Sequence, residues 1–307
     1  MNFIEVKNVV KQYDGHRALD DVSMDVPQGC IYGLLGPNGA GKTSLIRILN
    51  QITRPDSGEV LFCGHPSTPE DVRNIGYLPE ERGLYKKMKV GEQIVYLAQL
   101  KGMGRADAVA EMNKWLARFD LSEWRNKKLE ALSKGMAQKV QFIATVIHRP
   151  ELLIFDEPFS GFDPVNAEQL KREILRLKEE GATILFSTHN MASVEEVCEK
   201  ITLINHSKVV LQGDVMEVRR RHSKHLYGVE LEDKVPLAPN DALFSVEKCE
   251  VDTMNGIHAE IRLREGVEVR DAIAYINSNY HLCGFWEKLP NMNEVFIETV
   301  SKQQKEG

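Results

Sequence analysis

Three short stretches carry side chains of the kind that handle a phosphoryl group. GPNGAGKT (36–43) fits GxxxxGK[ST] and lies between an apolar run, IYGLLG, and a helical pattern, SLIRIL. Gly36, Gly39 and Gly41, with Pro37, Asn38 and Ala40 between them, let backbone N–H groups turn inward and cradle phosphates. A helix starting here adds the positive end of its dipole. In this pattern Lys42 reaches the β- and γ-phosphates and Thr43 offers its hydroxyl to Mg2+, and the phosphate-binding stretch runs through Ser44.

LLIFDEP (152–158) is an apolar run ending in two adjacent carboxylates. A strand buried on both faces reads apolar throughout, and ligands of open α/β sheets gather at the C-terminal strand ends. Asp156 is placed there to hold Mg2+ directly or through water, and Glu157 to orient and deprotonate an attacking water. FSTHN (186–190) ends the next predicted strand, so His189 can hydrogen-bond a γ-phosphate or that water. Alone, the acids also read as a solvated strand cap and the histidine as a structural one. The order of the three motifs is what favours chemistry.

A scaffold must bring these distant residues together. The chain has 307 residues, 42% apolar and 27% charged, which suits one large or two modest soluble domains. A formal net charge of −6 disfavours nucleic acid as the main partner. Five cysteines without CxxC spacing read as reduced thiols in a cytosolic protein, and Cys249, His258, His281 and Cys283 lack zinc-like spacing. MNFIEVKNVV has no signal-peptide pattern, and no apolar run nears the roughly 18 residues of a membrane span. At a membrane, another chain must do the spanning.

FIEVKNVVKQY and DVSMDVPQGCIYGLLG predict strands, and SLIRILNQI predicts a helix through Leu45, Ile46, Leu49 and Ile52. TRPDSGEVLFCG gives a turn and a short strand. Residues 86–130 are helix-rich and read as an insert. Strands and helices then alternate through ELLIFDEP, AEQLKREILRLKEEG and ATILFSTHN, which argues for a parallel sheet covered by helices. ITLINHSKVVLQGD closes as a hairpin around 205–208. Composition shifts near RRRHSKH (219–225), a basic run suited to anionic lipid or to a solvated helix end. Beyond it, Asn255-Gly256 signals a hairpin turn, VEVRDAIAYINSNY a helix, LCGFWEKL a strand and MNEVFIETVSK a final helix.

GPNGAGKT, YLPEERGLY, LSKGM, LLIFDEP, SGFD and STHN, in this order and over about residues 2–220, resemble the motifs of the ATPase subunits of ABC transporters. The resemblance implies a P-loop NTPase α/β fold: a RecA-like core sheet, an N-terminal antiparallel β-subdomain and a helical subdomain at about 86–150. An ATPase domain at 1–220 would then precede a small α+β accessory domain at 221–307. It also implies ATP and Mg2+ as ligands, two ATPase subunits (a homodimer or a pair) closing head-to-tail around two ATP molecules, and an integral membrane permease as partner.

Residue by residue, Tyr13 in KQYDG matches the aromatic that stacks on adenine, and Asp163 in SGFD the aspartate that communicates between the two sites. In LSKGM, Ser133, Lys134 and Gly135 match the loop that meets the other subunit's γ-phosphate from a helix N-terminus, with Lys134 and Met136 departing from the common LSGGQ. Glu80 stands where glutamine is usual. A carboxylate is a hard oxygen ligand, so Mg2+ coordination is expected of it only with the metal present. Phe162 for the usual leucine is an apolar exchange.

YLPEERGLY, LSKGM and the extra C-terminal domain resemble export ATPases of the sodium-extrusion type, which act at the inner face of the cell membrane. A soluble ABC protein working on ribosomes or DNA is the rival; one cassette, and a short stretch between Lys42 and Asp156, fit it poorly. A regulatory module without turnover is disfavoured by Glu157.

Overall fold

A computed structural model describes residues 1–81, 83–233, 235–251 and 256–306. The chain divides into two compact units, Met1–Val215 and Met216–Gly307.

The first unit begins with a long hairpin, β1 (Asn2–Tyr13) and β2 (His16–Pro27), then β3 (Ile31–Leu35) and α1 (Lys42–Leu49). β4 (Ser57–Phe62) and β5 (His65–Pro66) complete an antiparallel sheet in the order β2-β1-β4-β5. After β6 (Ile75–Leu78) come α2 (Val90–Leu100), α3 (Arg105–Arg118) and α4 (Lys134–Val146), the helical insert expected from the sequence. The chain returns through β7 (Leu152–Asp156), α5 (Pro164–Glu179), β8 (Thr183–Thr188), α6 (Met191–Val197), β9 (Lys200–Asn205) and β10 (Lys208–Asp214).

The second sheet has the order β10-β9-β3-β8-β7-β6. All its pairs are parallel except β10 on β9. Every residue of β3, β7 and β8 is buried, which explains why these strands read as near-continuous apolar runs rather than alternating. At their C-terminal ends the sequence changes to polar types, Asp156 on β7 and Ser187 and Thr188 on β8, where ligands of open α/β sheets gather.

One expectation is corrected here. α1 stops at Leu49 and Ile52 is 62% exposed, so it is no part of the buried stripe. The Asn50 amide takes the Ile46 carbonyl at 2.9 Å and Gln51 turns to φ 57°, which ends the helix a turn early.

α7 (Val215–Arg221) leads into the second unit. There β11 (Leu226–Leu231), β12 (Phe244–Val251), β13 (Ile257–Leu263) and, after α8 (Val269–Asn279), β14 (Leu282–Glu287) form an antiparallel sheet in the order β12-β13-β11-β14, and α9 (Met292–Glu306) follows. Val229, Leu231, Phe244, Ile257, Ile261, Ala272 and Ile276 make its core. β12 and β13 pair as the expected hairpin, but Asn255 of its turn lies outside the described residues. Of the basic run, Arg219 donates to the Pro290 carbonyl at 2.8 Å and Arg221 pairs with Glu217.

Candidate nucleotide site

The phosphate loop joins the end of β3 to the start of α1. Gly36, Gly39 and Gly41 have φ of 149°, 79° and 114°, conformations that a side chain strains. A Cβ on Gly36 would run into the Ile204 carbonyl and one on Gly41 into the Ala18 carbonyl. The loop can thread between β2 and β9 only as glycine. Lys42 is buried, and its Nζ donates to the carbonyls of Gly36 at 2.6 Å and Pro37 at 3.1 Å, curled inside the loop. Thr43 and Ser44 sit in the first turn of α1, exposed and half-buried. Beside the loop is a cavity of about 430 Å³ whose lining includes Pro37, Asn38, Gly39 and Ala40 with His16, Arg17 and His206. Tyr13, 38% exposed, pairs with His16 across the β1–β2 hairpin, and Lys11 Nζ lies 5.5 Å from its ring centroid.

Asp156, 5% exposed, ends β7. Burial pushes its carboxyl above the usual range, and the like charges of Glu157 and Glu80 add to this, against Ser187 and Lys42. Desolvation also lowers the Lys42 ammonium, opposed by Glu157, Asp156 and Glu80 in that order. Three carboxylates thus act electrostatically on one buried ammonium, whose Nζ itself donates to loop carbonyls. Glu80 follows β6, whose Leu78 pairs with Phe155 of β7, so its side chain meets Asp156 and Glu157 around a small cavity. Gln141 donates to the Pro79 and Glu81 carbonyls at 3.4 and 3.3 Å and holds that loop.

Glu157 is not a free carboxylate. Its Oε1 accepts from the His189 N–H at 2.9 Å and lies 2.6 Å from His189 Nδ1, while Oε2 accepts from the Thr188 hydroxyl at 3.0 Å. Its φ is 50°, so the chain turns sharply as it leaves β7. His189 is therefore turned to the acid, a contact that motif order alone does not give. Thr188 is a partner that sequence reading missed, although it sits inside FSTHN. His16, Arg17 and His206 line the cavity beside the loop, and no local pattern relates His206 to the other two.

Ser133 is the N-cap of α4 and accepts from Met136 N–H at 3.3 Å. The end of Lys134 lies over Gly161 of SGFD. Asp163 caps α5, accepting from the N–H groups of Val165 and Asn166 at 3.1 and 3.0 Å.

The donors suit magnesium. Thr43, Asp156 and Glu80 offer only oxygen, and the excess of carboxylates over ammonium calls for a cation. Among the described residues no three His, Cys, Asp or Glu side chains form a metal cage of their own. Mg2+ is commonly held by one or two carboxylates plus substrate phosphates, so this arrangement fits it.

Residues 19–160 match the model of the ABC transporter family. Over 298 residues the chain is 40% identical to an uncharacterized ABC transporter ATP-binding protein, YhaQ of Bacillus subtilis (strain 168), covering 97% of this chain and 98% of that one. The chain is an ATP-binding subunit of the ABC transporter family. As such it is an ATPase whose nucleotide-binding domain powers transport. Residues 213–300 of this ABC subunit match the C-terminal domain of DrrA1-3-like ATP-binding proteins. It is 31% identical to the daunorubicin/doxorubicin resistance ATP-binding protein DrrA of Streptomyces peucetius, over 80% of this chain and 75% of that one. A solved ATP-binding subunit of an ABC transporter superposes with a TM-score of 0.67 at 30% identity, covering 72% of this chain and 93% of that chain. No helix among the described residues of the ABC subunit is long and apolar enough to cross a membrane.

Proposed function

We propose that this subunit hydrolyses MgATP at the C-terminal ends of β3 and β7 to drive a separate integral membrane permease, in an exporter. One observation carries the reading: the buried Lys42 ammonium shares a site with Asp156, Glu157 and Glu80 under a glycine-built phosphate loop.

Residues 36–44 bind the phosphates, and Tyr13 stacks on adenine. Thr43, Asp156 and Glu80 hold Mg2+, which supplies charge neutralisation across the phosphates. Glu157 takes a proton from the attacking water, leaving ADP and phosphate as products. His189 keeps Nδ1 on Glu157, which leaves Nε2 for the γ-phosphate. Lys42 stabilises the transferring group electrostatically.

Ser133 and Gly135 serve a second subunit's nucleotide, with Asp163 linking the two sites. Ser133 is already aimed by its cap, so the α4 N-terminus can face an anion. ATP would favour the closed pair, and opening and closing would move the permease. We place the ATPase domain at 1–220, its helical subdomain at about 86–150 and the accessory domain at 221–307, with the subunit on the inner face of the cell membrane. Export is supported by the DrrA-like C-terminal domain and by the drug-resistance relative. Nucleic acid is not expected as a partner.

Two measurements test this. Ser133→Ala placed in one subunit of a mixed dimer should silence the site built on the other subunit's phosphate loop; loss confined to its own loop removes the head-to-tail arrangement. Detergent extraction should recover the subunit with an integral membrane chain, and recovery alone under every condition counts against transport.

A further inference from the structure

We propose that Lys134 is a positioning residue: with Gln138 it clamps the SGFD segment (160–163) of its own subunit, and through that segment it holds Glu157. The inference rests on the hydrolytic reading of Glu157.

Three positions in the first turns of α4 face this segment. A methyl group on Gly161 would fall 2.7 Å from Lys134 Nζ and 2.8 Å from its Cε, so the end of the lysine lies on the bare Cα of Gly161. Gly161 has φ 77°, a turn that already favours glycine, and a side chain there would have to displace the end of the lysine. Gln138 Nε2 donates to the Ser160 carbonyl. A Cβ on Gly135 would fall 3.8 Å from Nδ2 of Asn166, and that amide donates to the Asp163 carboxylate. From the α4 side the segment is therefore held at Ser160 by Gln138 and covered at Gly161 by Lys134, while Asp163 is bound from α5 by Asn166.

It is tied to the reacting acid as well. The Ser160 N–H donates to the Glu157 carbonyl at 3.1 Å. Glu157 sits in a left-handed conformation that non-glycine residues leave unless their surroundings hold them. A glycine in place of Lys134 would have no side chain to cover Gly161. On this account the lysine is a structural brace for the hydrolytic turn, and its charge is not delivered to the neighbouring subunit's phosphate.

Hydrogen exchange on the nucleotide-free protein reads the clamp directly. In Lys134→Ala, which keeps helix propensity, the amides of 159–162 should exchange about five-fold faster, while those of 38–44 and 137–146 keep wild-type rates. Gln138→Ala should loosen the same amides, and Lys134→Arg should restore them. With ATP, Lys134→Ala should lower kcat about five-fold at unchanged KM, with Arg recovering most of it. Unchanged exchange at 159–162 overturns the clamp whatever the kinetics; a raised KM beside it would assign Lys134 to the other subunit's nucleotide instead. Faster exchange in a protein whose wild type hydrolyses no ATP would support the clamp and sink the hydrolytic reading.

Discussion

The two units handle charge in opposite ways. In Met1–Val215 the interior holds Lys42, Asp156, Gln93, Gln141, Thr188 and Ser187 among its buried polar groups. Among the described residues of Met216–Gly307, every buried side chain is apolar, tyrosine included, and the charged ones sit outside as pairs such as Arg262–Glu247 and Lys288–Glu260. Burying an ammonium or a carboxylate is costly unless a partner or ligand compensates. The first unit accepts that cost at one end of its parallel sheet, where desolvation strengthens the fields that act on a phosphoryl group. The second unit spends its interior on packing alone, as a scaffold or contact module would.

The comparison predicts where substitutions should act. Glu157→Gln is expected to lower ATP hydrolysis by at least about 100-fold with nucleotide binding retained, measured as single-turnover rate beside nucleotide affinity. Unchanged hydrolysis would remove the chemistry from this end of the sheet. Ile276→Ala, in the core of the second unit, should cost about 2–5 kcal/mol of that unit's stability by urea unfolding. It should leave kcat unaltered wherever both units are folded.

His148 tests the hidden charges by pH. Burial first, then Lys101, pushes its imidazole down to about 4, against the Ile75 carbonyl. The unfolded chain takes up a proton near the ordinary value, and the folded chain refuses it until about pH 4. Stability is thus full above about pH 6.5 and falls as pH drops toward 4, by on the order of 3 kcal/mol from this group. His148→Leu should flatten that part of the urea-midpoint profile. The smallest effect belongs to the second unit's surface: Trp286→Ala, 47% exposed, should leave kcat within about two-fold. A larger drop would give that unit a part in the reaction.

Much of this was legible in the residues themselves. The glycines of 36–41, the apolar run of β7 up to Asp156 and the helical insert each follow from local rules of conformation or burial, and each is present in the fold. Ile52 was misread because periodicity continues past Leu49, whereas the Asn50 side chain and the Gln51 turn end α1 first. Glu80 was legible only as a departure from a familiar pattern; its place beside Asp156 needs the parallel pairing of β6 with β7.

Composition, spacing and motif order determined the family, the phosphate loop, the acid pair and the absence of long apolar runs, because those are properties of contiguous residues. Tertiary structure alone decided what the same side chains touch. It turned His189 to Glu157, brought Ser207 to the carbonyl of Arg17, 190 residues away in sequence, at 2.6 Å, and laid the end of Lys134 on Gly161. Such contacts depend on which strands and helices become neighbours, and that is settled by burial of the whole chain rather than by any stretch of it.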